Sequence, residues 1–228
     1  MSRIRAVIFD LDDTLYPERQ YVRSGYAAVC EHLRGAMGRD GPFEQFLWGR
    51  FCRGEAAGAF DDLSATYKLD LSADDIRGLL EVYRTHRPDI RPFESIPDLL
   101  ALLHGRCKLG LLSDGFLPAQ QLKLEALKLG RFFEETVFTD QMGRDAWKPS
   151  PAGFERIGDL LGEAHAACAY VADNPAKDFV APNALGWLTV QYRQPGQVHA
   201  DKPAPQAGDP AAVVSLPGQL YQALLARR

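Results

Sequence analysis

Apolar positions along this chain form first a short continuous run, then a helical rhythm, then an alternation of the two. Residues 4–9 are a Val/Ile-containing run that stops at an acidic cluster, which predicts a short buried strand. From about residue 18 to residue 86 the spacing turns helical. Tyr21, Val22, Gly25, Tyr26, Val29 and Leu33 recur every three or four residues, and Phe43, Phe46, Leu47, Arg50 and Phe51 continue the pattern. Ser72 followed by Asp75 reads as a shortened capping box that opens another helix, with Ile76, Leu79, Leu80 and Tyr83 on one face. No strand pattern occurs in this stretch, and its aromatic set, Tyr21, Tyr26, Phe43, Phe46 and Phe51, reads as the core of a helical module.

Beyond Pro88 and Pro92 helix and strand alternate. Helices are predicted over 96–104, 118–129, 150–161 (capped by Ser150) and 176–185, and strands over 108–112, 136–138, 168–172 and 187–191. Repeated units of this kind imply a parallel sheet covered by helices on both faces. Residues 193–209, rich in Pro, Gly and Ala, are expected to be irregular, and 212–215 to add a short strand before a terminal helix through Leu220, Leu224 and Leu225. The predicted organisation is one discontinuous α/β core, residues 1–15 and 93–228, with an all-helical insert over 16–92. The insert leaves the core at the carboxyl end of the first strand, the edge where open α/β sheets bind ligands.

Composition narrows the classes. Of 228 residues 46% are hydrophobic and 25% charged, which fits a packed globular chain and not a disordered or fibrous one. Lys and Arg number 26 against 30 Asp and Glu, a net charge of -4, which argues against a nucleic-acid partner because phosphate backbones demand clustered positive charge. Cys30, Cys52, Cys107 and Cys168 share no metal-ligand spacing and read as free, mostly buried thiols; the five histidines show no such spacing either. No signal peptide or membrane-spanning run is apparent, so the expectation is a cytoplasmic protein with no membrane partner.

Four polar clusters fall at the ends of predicted strands or in the loops beside them: Asp10 to Leu15, with three carboxylates in four positions; Ser113-Asp114-Gly115; Lys148-Pro149; and Asp173 to Asp178. In a parallel sheet all four converge on one edge. Carboxylates crowded at a strand end repel one another unless a cation or proton offsets them, so a metal site is the physical suggestion.

In this order and context the clusters resemble the motifs of the haloacid dehalogenase superfamily of aspartate-nucleophile hydrolases, most of whose members are phosphatases. The resemblance covers nearly the whole chain: Asp10, Asp12 and Thr14 match the first motif, Ser113 the second, Lys148 the third, and Asp173 with Asp178 the fourth. It implies a Rossmann-like α/β core with helices on both faces and an inserted helical cap that closes over the site. It also implies a Mg²⁺-dependent phosphatase for a small phosphorylated metabolite such as a sugar phosphate, phosphoglycolate or a nucleoside monophosphate. On this reading Asp10 is the nucleophile that forms an aspartyl-phosphate, and Asp12 is the general acid and base, with a pKa raised by its crowded acids. Lys148 and Ser113 bind the phosphoryl group. Mg²⁺ is held by Asp10, Asp173 and the backbone carbonyl of Asp12.

Asp178 is expected behind these groups, holding Lys148 or a metal-bound water, and Thr14 is expected to secure the first-motif turn. Three departures stand out. Ala172 occupies a position where many relatives have glycine; Asp114 follows Ser113 where asparagine is frequent, and is placed among the substrate-binding groups; Asp13 replaces a glycine often seen in the first motif, with little expected effect. A phosphotransferase or sugar-phosphate mutase would use the same intermediate, and a non-catalytic binding relative would keep the fold. A dehalogenase has no leaving oxygen to protonate, and relatives with that activity lack the second aspartate. The resemblance is compatible with a monomer or a homodimer.

Overall fold

A computed structural model describes residues 3–225. Strand β1 (Ala6–Phe9) is followed by helices α1 (Glu18–Met37), α2 (Phe43–Cys52), α3 (Ala59–Tyr67), α4 (Ala73–Thr85) and α5 (Ile96–Leu103). Strand and helix then alternate: β2 (Lys108–Ser113), α6 (Ala119–Leu127), β3 (Glu135–Phe138), α7 (Ala152–Leu161), β4 (Cys168–Ala172), α8 (Val180–Ala184), β5 (Leu188–Tyr192), β6 (Ala212–Val214) and α9 (Pro217–Leu225). One compact unit takes in the chain up to Arg19 and from Ile90 onward; the other runs from Gln20 to Asp89. No helix among the described residues is long and apolar enough to cross a membrane.

The six strands are all parallel, in the order β3-β2-β1-β4-β5-β6. This order reverses direction between β1 and β4, so a crevice opens beyond their carboxyl ends, the switch point at which doubly wound sheets bind ligands. The register sets Phe9 opposite both Leu111 and Val171, and Asp10 N–H extends the ladder to the Val171 carbonyl at 2.9 Å. All four residues of β1 and all five of β4 are buried because helices cover both faces, which is why these strands read as unbroken apolar runs. On one face Phe154 and Ile157 of α7 pack with Ile8, Leu112 and Tyr170. Gly110 makes that approach possible, since a Cβ there would lie 2.9 Å from Ile157 Cδ1.

In the helical unit Tyr26, Val29, Leu33, Phe43, Leu47, Phe60, Leu63 and Leu79 form a core of their own, with Phe46 and Phe51 partly buried against it. Ser72 caps α4 as the sequence predicts: its Oγ accepts from Asp75 N–H while the Asp75 carboxylate accepts from Ser72 N–H at 2.8 Å. Cys30, Cys107 and Cys168 are buried free thiols, and Cys52 is exposed.

Two helices differ from expectation. Ser150 does not cap α7; Pro151 precedes that helix, and Ser150 donates its N–H to the Trp147 carbonyl at 3.0 Å. The helix expected over 176–185 shrinks to α8 because residues 174–178 are committed to a turn. There Asn174 N–H donates to Asp178 Oδ2 at 3.1 Å and Asp178 N–H to the Asn174 carbonyl.

Candidate active site

The carboxyl ends of β1, β2 and β4 deliver Asp10, Ser113 and Asp173, and the turn after β4 folds Asp178 back beside them. Asp10, Asp173 and Asp178 each place a carboxylate oxygen within 4.8 Å of the others, all three buried. Lys148 Nζ enters this cluster at 2.5 Å from Asp10 Oδ1 and 3.0 Å from Asp178 Oδ1, and donates to Tyr170 Oη at 2.9 Å. Thr14 Oγ1 donates to Asp173 Oδ1 at 3.5 Å, so the first-motif loop reaches the fourth motif as well as its own turn. Ser113 is buried beside its neighbour Asp114, with Oγ 3.5 Å from the Asp114 carbonyl.

Electrostatics follow from three acids and too little positive charge. Burial, only partly opposed by Lys148 and reinforced by Asp178, pushes Asp10 up to about 7. Burial and then repulsion from Asp178 and Asp10 push Asp173 up to about 9. Burial opposes the charge on Lys148, but Asp10 and Asp178 outweigh it and keep the ammonium well above the ordinary lysine value. Asp173 Oδ2 is buried without a hydrogen-bond partner, an orphaned acceptor of the kind a cation satisfies. Oxygen-only donors converging on one point suit a hard divalent cation such as Mg²⁺.

Asp12 departs from expectation. Its carboxylate turns to α6, where Lys123 Nζ lies 2.8 and 3.0 Å from its two oxygens and Gln120 Nε2 donates to Oδ2 at 3.1 Å; the Tyr16 hydroxyl also donates to it. Burial acts to raise the Asp12 pKa, but Lys123 and the donors from Lys123, Tyr16 and Gln120 prevail and hold it below the ordinary range. The predicted upward shift is therefore wrong in sign, because the nearest charge in space is a lysine 111 residues away.

Asp114, expected to face substrate, has both carboxylate oxygens engaged by the protein. Oδ1 accepts from Thr139 Oγ1 at 2.8 Å and Oδ2 from the Lys148 backbone N–H at 3.1 Å, with Lys177 Nζ 3.7 Å away. It thereby ties the loop of the second motif to that of the third. Asp13 also has more consequence than expected. It sits at φ 55, a left-handed conformation that aspartate tolerates, and its carboxylate accepts from Glu18 N–H at 2.8 Å and Val198 N–H at 2.5 Å. The substitution for glycine thus pins the start of α1 and the irregular 193–209 segment to the first-motif loop. The structure gives Ala172 no role beyond its buried place at the end of β4.

Lys123, Gln120, Tyr16, Tyr170 and Lys177 are absent from the sequence-based site. A signal existed for two of them: Gln120 and Lys123 are three apart and share the buried face of α6 with Ala119 and Leu127, a polar pair where apolar residues are the norm. Gly115 makes room for Gln120, since a Cβ there would lie 2.0 Å from Gln120 Nε2, and its φ of +130 is strained for any other residue. Gly115→Ala is expected to cost roughly 1–3 kcal/mol, read as a lowered denaturant midpoint at unchanged slope.

Comparison with known proteins agrees with this architecture. The model of the haloacid dehalogenase-like hydrolase family matches residues 4–186. A glyceraldehyde 3-phosphate phosphatase of Methanopyrus kandleri is 28% identical over 199 residues, 84% of each chain. The magnesium-bound HAD-hydrolase YfnB of Bacillus subtilis superposes with a TM-score of 0.70 at 19% identity, covering 98% of this chain and 99% of that one. A 2-haloacid dehalogenase of Pseudomonas syringae does so with a TM-score of 0.66 at 22% identity, covering 97% and 98%. At these identities the two structures speak to the fold alone.

Proposed function

Because the chain belongs to the haloacid dehalogenase-like hydrolases, we propose that it is a Mg²⁺-dependent phosphatase acting on a small phosphorylated metabolite. The observation that carries this reading is the division of labour between two aspartates two residues apart. Asp10 sits among buried carboxylates with Lys148 at 2.5 Å, whereas Asp12 sits apart on its own set of donors. A hydrolase that needs a nucleophile and a separate acid and base requires that separation.

In the proposed reaction an Asp10 oxygen attacks phosphorus and the bond to the ester oxygen breaks, leaving an aspartyl-phosphate. Asp12 gives the departing oxygen a proton, then as carboxylate takes one from the water whose oxygen displaces Asp10. The resting site holds Asp12 in its basic form, so the proton it gives is one it takes up from solvent as the phosphoryl anion arrives beside it and favours the acid form. Lys148 offsets charge on the transferring group, and Ser113, at the end of β2, supplies a hydroxyl to it. Asp10, Asp173 and the Asp12 carbonyl would hold Mg²⁺, with Asp178 close enough to join them through a water. When bound, that ion neutralises developing phosphoryl charge.

Phosphate release across sugar phosphates, phosphoglycolate, nucleoside monophosphates and glyceraldehyde 3-phosphate tests the reading. The expected result is Mg²⁺-dependent release of inorganic phosphate from a single ester. An isomerised ester in place of free phosphate would instead establish a mutase, and no turnover of any ester would leave a binding protein.

A further inference from the structure

The two buried lysines among the described residues, Lys123 and Lys148, are each paired with one of the first-motif aspartates. Lys148 serves Asp10, and the phosphatase reading accounts for it. Lys123 it does not use. Its side chain is 5% exposed, and its ammonium bridges both oxygens of the Asp12 carboxylate at 2.8 and 3.0 Å. Gln120, one helical turn earlier, adds a third contact at 3.1 Å, and Tyr16 closes from the first-motif loop. The fold does not require this arrangement, since withdrawing a lysine from water onto a helix face is costlier than placing an apolar residue there. Gly115 leaves the space that Gln120 fills in this arrangement, since a Cβ there would lie 2.0 Å from Gln120 Nε2.

Several donors on one carboxylate remove its rotational freedom. Proton transfer to a departing oxygen depends on that orientation, and small misplacements of a reacting group are expensive. Asp12 remains 22% exposed, so the clamp grips it from behind without sealing it off. We infer that Lys123, supported by Gln120 and Tyr16, is a positioning residue that aims Asp12 at the leaving-group oxygen and takes no part in binding the phosphoryl group. This rests on the phosphatase reading, in which Asp12 moves the proton.

The test compares Lys123→Met and Lys123→Arg with the unaltered protein on phenyl phosphate and p-nitrophenyl phosphate, in Mg²⁺. The nitrophenolate leaves readily without a proton and the phenolate does not. Lys123→Met should lower kcat/KM on phenyl phosphate by about 10²-fold and on p-nitrophenyl phosphate by less than about tenfold. Inhibition by inorganic phosphate should hold within about twofold, and Lys123→Arg should recover part of the loss, since it keeps a buried cationic donor but not the compact ammonium. Equal losses on the two esters, or a weakened phosphate inhibition, overturn the inference. The clamp is also read without turnover, from a melting double-mutant cycle of Lys123→Met and Asp12→Asn. Strictly additive effects overturn it. If the cycle shows coupling while the unaltered protein hydrolyses neither these two esters nor any ester of the metabolite panel, the phosphatase reading falls and takes the catalytic role of Lys123 with it.

Discussion

Asp10→Asn is expected to abolish turnover, lowering kcat by roughly 10⁵-fold or more, the scale seen when a covalent nucleophile is removed from an otherwise intact site. Asparagine keeps the shape of the side chain and an oxygen for Lys148, which also retains Asp178 at 3.0 Å, so no buried charge is left alone. The substitution also removes one of three mutually repelling carboxylates. The variant should therefore melt no lower than the unaltered protein at pH 8 in a chelator. Phosphate-release kinetics and a thermal melt on the same preparation check both halves. Retained turnover would refute Asp10 as nucleophile, whereas lost turnover with a collapsed melt would say only that the fold was damaged.

Removal of divalent cation should produce the second large effect, on stability as well as on activity. Asp10 and Asp173 titrate near 7 and 9 in the folded, metal-free site, well above their ordinary values. A group whose acid form is favoured by folding binds more protons folded than unfolded, so stability falls as pH rises through the interval between the two pKa values. In a chelator the protein should thus lose stability from about pH 4 towards pH 9 through these two groups. Mg²⁺ should reverse that loss, by about 2.7 kcal/mol at a hundredfold excess over its Kd. Asp173→Asn should abolish the Mg²⁺-dependent rise in Tm. Melts with and without Mg²⁺ across this range decide the matter, and a Tm indifferent to Mg²⁺ at pH 8 would count against a cation site among Asp10, Asp173 and Asp178.

The two predictions differ in how much of their basis could be read before the fold was known. That Asp10 ends a buried strand is written locally: an apolar run stops at an acid, and strand pattern and strand end lie within a few residues of each other. Ser113 at the end of β2 and Asp173 after β4 are legible for the same reason. A parallel sheet collects the ends of its strands on one edge, so local pattern plus topology already predicts that these groups meet.

Charge states and side-chain partners are not local. Asp12 reads from its sequence neighbours as one crowded acid among three, which points its pKa upwards. Tertiary structure instead brings Lys123, Gln120 and Tyr16 onto it and reverses the sign. Asp114 reads as a substrate contact but is spent on Thr139 and the Lys148 backbone, and Asp13 reads as a neutral exchange for glycine but anchors Glu18 and Val198. Hydrophobic rhythm therefore determined the strands, the helical insert and the edge at which the acids gather, because burial is imposed on each element with its own period. Which donor each acid faces was decided only when α6 and the 193–209 segment packed against the first-motif loop. Hydrogen bonds between residues more than a hundred apart, such as Lys123 to Asp12 and Val198 to Asp13, have no counterpart in any local pattern.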